Sequence, residues 1–231
     1  WLPLSRGLGD VYKRQTFTGG AIDPEVKAAV HEAGRLLEGL GHSVEPGVLR
    51  ADVAMMMRAW TDIVGVGTAL GIRKALKGRD SEGLVEGVSR GAMAYAETLH
   101  PTRYLEAVGE IHAFGRKMAA EFAQCDVILS ATLAEPPAKV GRFAHSTTDY
   151  LDYRIGPEGI FAYSPFCAVF NASGQPAASV PLGWSAGDLP IGVHLAMPFG
   201  ADEALIALCA EIERAAPWAG QRAPMAGGGR S

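Results

Sequence analysis

The chain has 231 residues, of which 48% are hydrophobic and 20% are charged. These values are close to the average for a globular protein with a sizeable core. The formal net charge is -4 and the isoelectric point is near 5.9, so the composition offers no basic surface for nucleic acid or anionic lipid. No apolar run reaches the roughly 18 residues that a membrane span needs. We therefore expect a soluble chain with no nucleic-acid partner and no membrane association.

The cysteines and histidines limit the chemistry further. Cys125, Cys167 and Cys209 are odd in number and far apart, which is typical of reduced thiols in the cytoplasm rather than of a disulfide framework. The six histidines include no HxxxH pair and no cysteine neighbour at metal spacing. The glycine patterns of phosphate-binding and dinucleotide-binding loops are also missing. The sequence predicts a cytoplasmic protein with no metal and no cofactor.

The two ends of the chain differ from the rest. Residues 1–15 show neither period two nor period 3.6, and we interpret them as a non-native or disordered leader, with a native surface arm as the alternative. Residues 221–231 end in AGGGRS, which predicts a flexible tail. The folded domain is therefore expected over residues 16–220.

The first regular elements have clear local signals. Asp23 and Pro24 supply an N-cap and a first-position proline for a helix that ends at Gly41. A strand is predicted directly after it, over residues 42–44. A helix that returns to a strand in this way indicates the α/β class, with helices packed on a sheet.

A helical block follows in the middle of the chain. Apolar spacing predicts helices over residues 51–77, 81–99 and 102–124. The third helix is expected to turn one apolar set inward: Tyr104, Leu105, Val108, Ile111, Phe114 and Met118. The remaining predicted elements are a buried strand 126–130, an irregular segment 139–163, a short helix 164–170, hairpin strands 178–182 and 190–196, and a final helix capped by Asp202.

Residues 87–91, GVSRG, match the GxSxG pattern of the nucleophile elbow in α/β-hydrolases. That elbow needs a strand immediately before it, because the strained strand-to-helix turn is what exposes the serine oxygen. Residues 81–86 are predicted to be helical instead. The pattern therefore favours a helix containing glycines, and an esterase that uses Ser89 is the weaker alternative.

Three longer segments carry a family resemblance. They are DVILSATLAEPPAKVG at residues 126–141, the run from SPFCAVFNASGQPAASVPLGW to ERAAPW at residues 164–218, and DPEVKAAVHEAGRLLEGLGHSVE at residues 23–45. Together they resemble the C-terminal half of a stand-alone amidase of the amidase-signature family. The resemblance implies a mixed β-sheet covered by α-helices. It also implies that the intact parent protein hydrolyses a carboxamide to a carboxylate plus ammonia or an amine.

The same resemblance bears on catalysis. Members of this family act on small-molecule amides, here expected to be linear ones, through a serine, a second serine held by a cis peptide, and a lysine. All three precede the part of the family that this sequence resembles, so no residue of this chain is assigned a catalytic role. We expect the chain alone to be inactive, and no metal or organic cofactor is implied.

Residues Ser164, Phe166 and Cys167 match the family segment that faces the catalytic centre and shapes the acyl side of the substrate pocket. Cys167 stands where a threonine is common. A small buried cysteine that only fills the core is an equally good interpretation.

The helical block resembles the variable part of the family that closes over the substrate. Its candidate pocket residues are Trp60, Arg90 and Tyr95, and Arg90 would suit a substrate carboxylate. Packing or a solvated face is the alternative for each of the three.

Other functions stay open at this point. A non-catalytic binding or assembly module could use the same half-fold, and the family includes the catalytic subunit of a tRNA-dependent amidotransferase. The PLGW segment at residues 181–184 resembles the stand-alone amidases more closely. A homodimer is also open.

Overall fold

A computed structural model describes residues 8–10 and 16–221. The chain divides into two compact units. The first, here called the sheet unit, comprises residues 1–49, 119–137 and 175–231. The second, the helical unit, comprises residues 50–118 and 138–174.

The sheet unit contains one five-stranded sheet. Its strands are β1 (Leu8–Asp10), β2 (Val44–Pro46), β3 (Ile128–Ala131), β4 (Ala177–Trp184) and β5 (Pro190–Ala196), in the spatial order β2-β1-β3-β5-β4. Strand β1 pairs in parallel with β2 and β3, whereas β5 pairs antiparallel with β3 and β4. The expected mixed sheet is confirmed, and the hairpin prediction holds because β4 and β5 are direct antiparallel neighbours.

Strand β1 lies within the segment that we interpreted as a leader. Leu8, Gly9 and Asp10 lie between β2 and β3 in the sheet, with Gly9 opposite both Glu45 and Ile128. The other residues of that segment, 1–7 and 11–15, fall outside the described part of the chain. So do residues 222–231 of the predicted tail, and both interpretations stay predictions there.

Two helices of the sheet unit cover the sheet. Helix α1 (Pro24–Gly39) begins as predicted, with the Asp23 side chain accepting a hydrogen bond of 2.8 Å from the backbone N–H of Glu25. It packs on β3, β4 and β5, and the final helix α8 (Asp202–Ala215) packs on β4. Asp202 is the first residue of α8 rather than its cap, since Ala201 occupies the N-cap position without a side-chain bond.

The helical unit is built from shorter and longer helices. In chain order they are α2 (Val53–Leu76), α3 (Gly87–Thr98), most of α4 (Arg103–Glu121), α5 (Tyr150–Ile155), α6 (Ile160–Tyr163) and α7 (Cys167–Ser173). None of the helices described in this chain combines the length and the apolar character required to cross a membrane.

Three sequence predictions for the helical unit were wrong in detail. Helix α3 starts at Gly87 and not near residue 81, because residues 82–85 form a turn in which Gly83 has φ of +70°. The segment 139–163 is not wholly irregular, since it contains α5 and α6. Helix α7 begins at Cys167 with Phe166 as its N-cap, and not at residue 164.

Candidate functional site

The centre of the helical unit is a buried carboxylate on α2. Asp62 is only 1% exposed. One of its oxygens accepts a hydrogen bond from the Tyr95 hydroxyl on α3, and the other accepts one of 2.7 Å from Nε of Arg103 on α4. Nε of Arg58, one turn before Asp62, lies 3.6 Å away. The Asp62 carboxylate is therefore surrounded by two arginines and one tyrosine hydroxyl, which come from α2, α3 and α4.

Arg103 extends this network to a second carboxylate. Its two terminal nitrogens donate to the two carboxylate oxygens of Glu110, each at 2.8 Å. This bidentate geometry is the strong form of an arginine–carboxylate pair. The hydrogen bonds from Arg103 lower the pKa of Glu110, and those to Glu110 and Asp62 raise the pKa of Arg103. At neutral pH both groups of the pair are therefore charged.

Two tyrosines line the same region. Burial, followed by the hydrogen bond to Asp62, raises the pKa of Tyr95 to about 12. Its ring lies 5.5 Å from that of Tyr150, whose hydroxyl donates to the backbone carbonyl of Thr61 at 2.9 Å. Burial raises the pKa of Tyr150 to about 12 as well. Both tyrosines are thus neutral hydrogen-bond donors and do not act as bases at neutral pH.

A further arginine lies beside Tyr150. Nε of Arg154 donates to the Thr61 hydroxyl at 3.3 Å, and Thr61 in turn donates to the Met57 carbonyl at 2.8 Å. The guanidinium carbon lies 4.8 Å from the ring centre of Phe161 and 5.7 Å from that of Tyr150. Burial lowers the pKa of Arg154. This cation is therefore held by aromatic faces and a hydroxyl, in contrast to Arg103.

The predicted pocket residues near α7 lie together. Ser164 follows α6 and donates its backbone N–H to Ile160 at 2.7 Å. Its side chain bonds to the thiol of Cys167, the first residue of α7; burial raises the pKa of this thiol more than the bond lowers it. Phe166 is 1% exposed and belongs to the core. The thiol is thus protonated and not a nucleophile at neutral pH.

The predicted residues in the helical block occupy different settings. Tyr95 is part of the Asp62 network, and Trp60 is half-buried on α2, two residues from Asp62. Arg90 is half-buried in the first turn of α3. Its Nε is buried and makes no hydrogen bond within the described part of the chain. Whether any of these side chains contacts a substrate stays a prediction.

The GVSRG segment is part of a helix. Gly87 and Gly91 lie one turn apart on α3, and a methyl group at either position would overlap a backbone carbonyl, that of Ser146 or that of Thr148. The residues immediately before Gly87 form no strand. The glycines therefore permit close packing of α3, and Ser89 does not sit on a strand-to-helix elbow.

The helical unit also carries an open groove of about 440 Å³ near the end of α2. Arg73, Arg79, Ser81 and Met93 are among its lining residues, and none of the predicted pocket residues is. Among the described residues, no group of three or more histidine, cysteine, aspartate or glutamate side chains is placed to hold a metal ion.

Sequence reasoning missed most of the Asp62 network. Asp62, Arg103 and Glu110 were not singled out, because each is a common charged residue on a helix. The one available signal was an acidic residue inside the apolar stretch MMMRAWTDIVGVG at residues 55–67, since buried acids are rare unless they are paired.

The comparisons with known proteins agree with one another. A family model described as Amidase matches residues 11–206. The chain is 28% identical over 209 residues to the 6-aminohexanoate-cyclic-dimer hydrolase of Paenarthrobacter ureafaciens, covering 87% of this chain and 42% of the relative. It is 30% identical over 205 residues to the putative amidase AmiC of Mycobacterium tuberculosis. This match covers 87% of this chain and 42% of AmiC.

Solved structures give the same result. A structure of 6-aminohexanoate cyclic dimer hydrolase superimposes with a TM-score of 0.83 at 27% identity, over 94% of this chain and 46% of that one. A bacterial aryl acylamidase of the amidase-signature family shares the fold, with a TM-score of 0.73 at 23% identity. This superposition covers 93% of this chain and 44% of the acylamidase. The chain thus spans less than half the length of these relatives.

Proposed function

The chain belongs to the amidase family, and from this membership we propose that it is the C-terminal part of an amidase that hydrolyses carboxamides. The observation that carries the proposal is the family match over residues 11–206, together with the relative that superimposes at 27% identity. The products would be a carboxylate and either ammonia or an amine. Linear amides of small molecules in the cytoplasm are the proposed substrates.

The proposed mechanism uses a serine nucleophile, a second serine held by a cis peptide, and a lysine, all outside residues 1–231. The described residues support this division of labour. Amide hydrolysis needs an activated nucleophile and donors aimed at the developing oxyanion. Ser89 lies on a helix, and the thiol of Cys167 has a raised pKa. In this proposal the chain supplies scaffold and pocket walls, and alone it hydrolyses no amide.

The proposed pocket walls come from two places in the helical unit. Ser164 and Cys167 would meet the acyl side of the substrate, with Phe166 behind them in the core. Tyr95 would take part through its bond to Asp62, and Trp60 would take part from its position two residues earlier on α2. In the whole enzyme this network would hold the three helices in one fixed arrangement beneath the substrate.

The test compares two proteins made from the same gene. The first is this chain, and the second is extended upstream in the reading frame to the length of the relatives. Turnover is measured as released ammonia for linear primary amides, as released aniline for anilides, and as the ring-opened amino acid for a cyclic amide. We expect turnover only by the extended protein, and we expect it to vanish when the proposed upstream nucleophilic serine is replaced by alanine.

One outcome would contradict this assignment directly. If the present chain hydrolysed an amide or ester and lost that activity in the Ser89→Ala variant, the nucleophile would lie within it. A Ser146→Ala variant, at an exposed serine outside the proposed pocket walls, serves as the matched control. An extended protein that folds but turns over no member of the panel would favour the non-catalytic module.

A further inference from the structure

Arg154 differs from the other strongly held arginines of the helical unit in having no acidic partner. Arg103 is paired with Asp62 and Glu110, and Arg142 with Glu158 at 3.8 Å. Within the described residues, no carboxylate lies at ion-pair distance from the guanidinium of Arg154; its contacts are the Thr61 hydroxyl and two aromatic rings. A cation removed from water without a counter-charge is costly, so such a site favours an anion.

The geometry leaves the anion-binding end of this arginine available. Nε is the atom that donates to Thr61, so the two terminal nitrogens point away from that bond as a planar pair of donors. This pair has the spacing that matches a carboxylate in a bidentate arrangement. Arg154 is neither fully buried nor fully exposed. A ligand can therefore reach the guanidinium while water screens it only in part.

The neighbours of Arg154 hold its guanidinium in place. Phe161 is 7% exposed and Tyr150 is 5% exposed. The guanidinium carbon of Arg154 lies 4.8 Å from the ring centre of Phe161 and 5.7 Å from that of Tyr150. Rings at these distances hold the guanidinium plane in place by cation–π attraction. Because both rings are themselves buried, they fix the guanidinium and leave its outer edge to a ligand.

We propose that Arg154, held in place by Thr61, Tyr150 and Phe161, binds the carboxylate of a small organic acid. If the proposed amidase function holds, this inference narrows the substrates to amides that also carry a carboxylate. Arg154 would then act in substrate recognition and at a distance from bond cleavage. The binding itself does not depend on hydrolysis, so the two proposals can fail separately.

The first experiment titrates the unmodified chain and uses Arg154→Lys only to assign an NMR signal. Hexanoate and hexanamide have the same length, and only hexanoate is charged at pH 7. Both are titrated into the chain by calorimetry and by two-dimensional NMR of the arginine Nε–Hε groups. We expect hexanoate to bind about tenfold more tightly than hexanamide, because a charge-assisted bidentate pair is stronger than a neutral contact. Hexanoate should shift one arginine Nε–Hε signal of the unmodified chain. That signal should be missing from the spectrum of the Arg154→Lys variant.

The variants have a matched control in the same unit. The guanidinium carbon of Arg142 also lies near two aromatic rings, 5.3 Å from the ring centre of Phe143 and 5.5 Å from that of Tyr163. Unlike Arg154, Arg142 is paired with a carboxylate, that of Glu158. Arg154→Gln should reduce hexanoate affinity to that of hexanamide, whereas Arg142→Gln should leave it unchanged. Arg154→Lys keeps the charge without the planar fork and should fall between them.

Two results would overturn the proposal. One is equal affinity of the unmodified chain for hexanoate and hexanamide. This comparison needs no variant, so it does not depend on whether Arg154→Gln folds. The other is a folded Arg154→Gln or Arg154→Lys variant that binds hexanoate as tightly as the unmodified chain. Absence of amidase activity in the extended protein would leave the binding result intact, and a negative titration would leave the amidase proposal intact.

Discussion

Two ion pairs of the helical unit have the same length and different surroundings. Nitrogen and oxygen are 2.7 Å apart in both the Arg103–Asp62 pair and the Arg73–Glu97 pair. The side chain of Asp62 is 1% exposed and that of Arg103 20%, whereas Arg73 and Glu97 are 54% and 65% exposed. If burial decides the energetic weight of a pair, neutralising Asp62 must cost far more than neutralising Glu97.

The expected magnitudes follow from this difference. Asp62→Asn leaves Arg103 and Arg58 facing a neutral amide in the interior. Removing one partner of a buried pair costs about 3–5 kcal/mol, and we expect about 3 kcal/mol because Arg103 keeps its two bonds to Glu110. Glu97→Gln removes a pair that water and salt already screen, so its cost is below about 1 kcal/mol.

The assay is urea unfolding at neutral pH, followed by circular dichroism and by tryptophan fluorescence. Coincident curves establish a single transition; if two transitions appear, the Asp62 effect should be confined to one of them. In a thermal melt about 3 kcal/mol corresponds to about 6–12 °C for a chain of this size. Equal losses for Asp62→Asn and Glu97→Gln, or a loss below about 1 kcal/mol for both, would refute the reasoning.

Two further predictions concern backbone packing and pH. Gly91→Ala should destabilise the chain by about 1–3 kcal/mol because the new methyl group overlaps the Thr148 carbonyl, whereas Gly67→Ala on α2, with nothing within 4 Å, should stabilise it by about 0.5–1 kcal/mol in the same unfolding assay. Comparable effects of the two changes would contradict the packing assigned to α3. Burial lowers the pKa of His194, 5% exposed, to about 4, so the folded state binds this proton less readily than the unfolded state. The protonation of His194 should therefore lower the free energy of unfolding by about 3 kcal/mol as pH decreases from about 6.5 to about 4. If the stability of a His194→Gln variant fell as steeply over this pH range as that of the unmodified chain, His194 would not be the cause.

The sequence determined the elements whose signals are local. The Asp23–Pro24 pair predicted the start of α1, because a cap and a first-position proline act on backbone groups within one turn. The apolar run before residue 131 predicted β3, all four residues of which are buried. The spacing of turn residues predicted the β4–β5 hairpin. The segments quoted for the family resemblance also led to the fold and the family that the structure and the comparisons support.

Only the tertiary structure decided which side of each helix faces the interior. Phe114 and Met118 of α4 are buried as predicted, but Tyr104 and Leu105 are 41% and 71% exposed. Arg103 instead turns inward, because Asp62, 41 residues earlier, offers it a buried carboxylate. An apolar stripe at helical spacing indicates an average face, and it cannot show which polar residue finds a partner on another helix.

The candidate carboxylate site depends on contacts that are even more distant in sequence. Thr61 and Arg154 are 93 residues apart, and Thr61 and Tyr150 are 89. Neither α5 nor α6 was predicted, because elements of four to six residues have too few apolar positions for a period to appear. Whether a half-buried cation has a counter-charge is a property of the packed helices. For that reason the sequence identified the family of this chain, and only the tertiary structure identified Arg154.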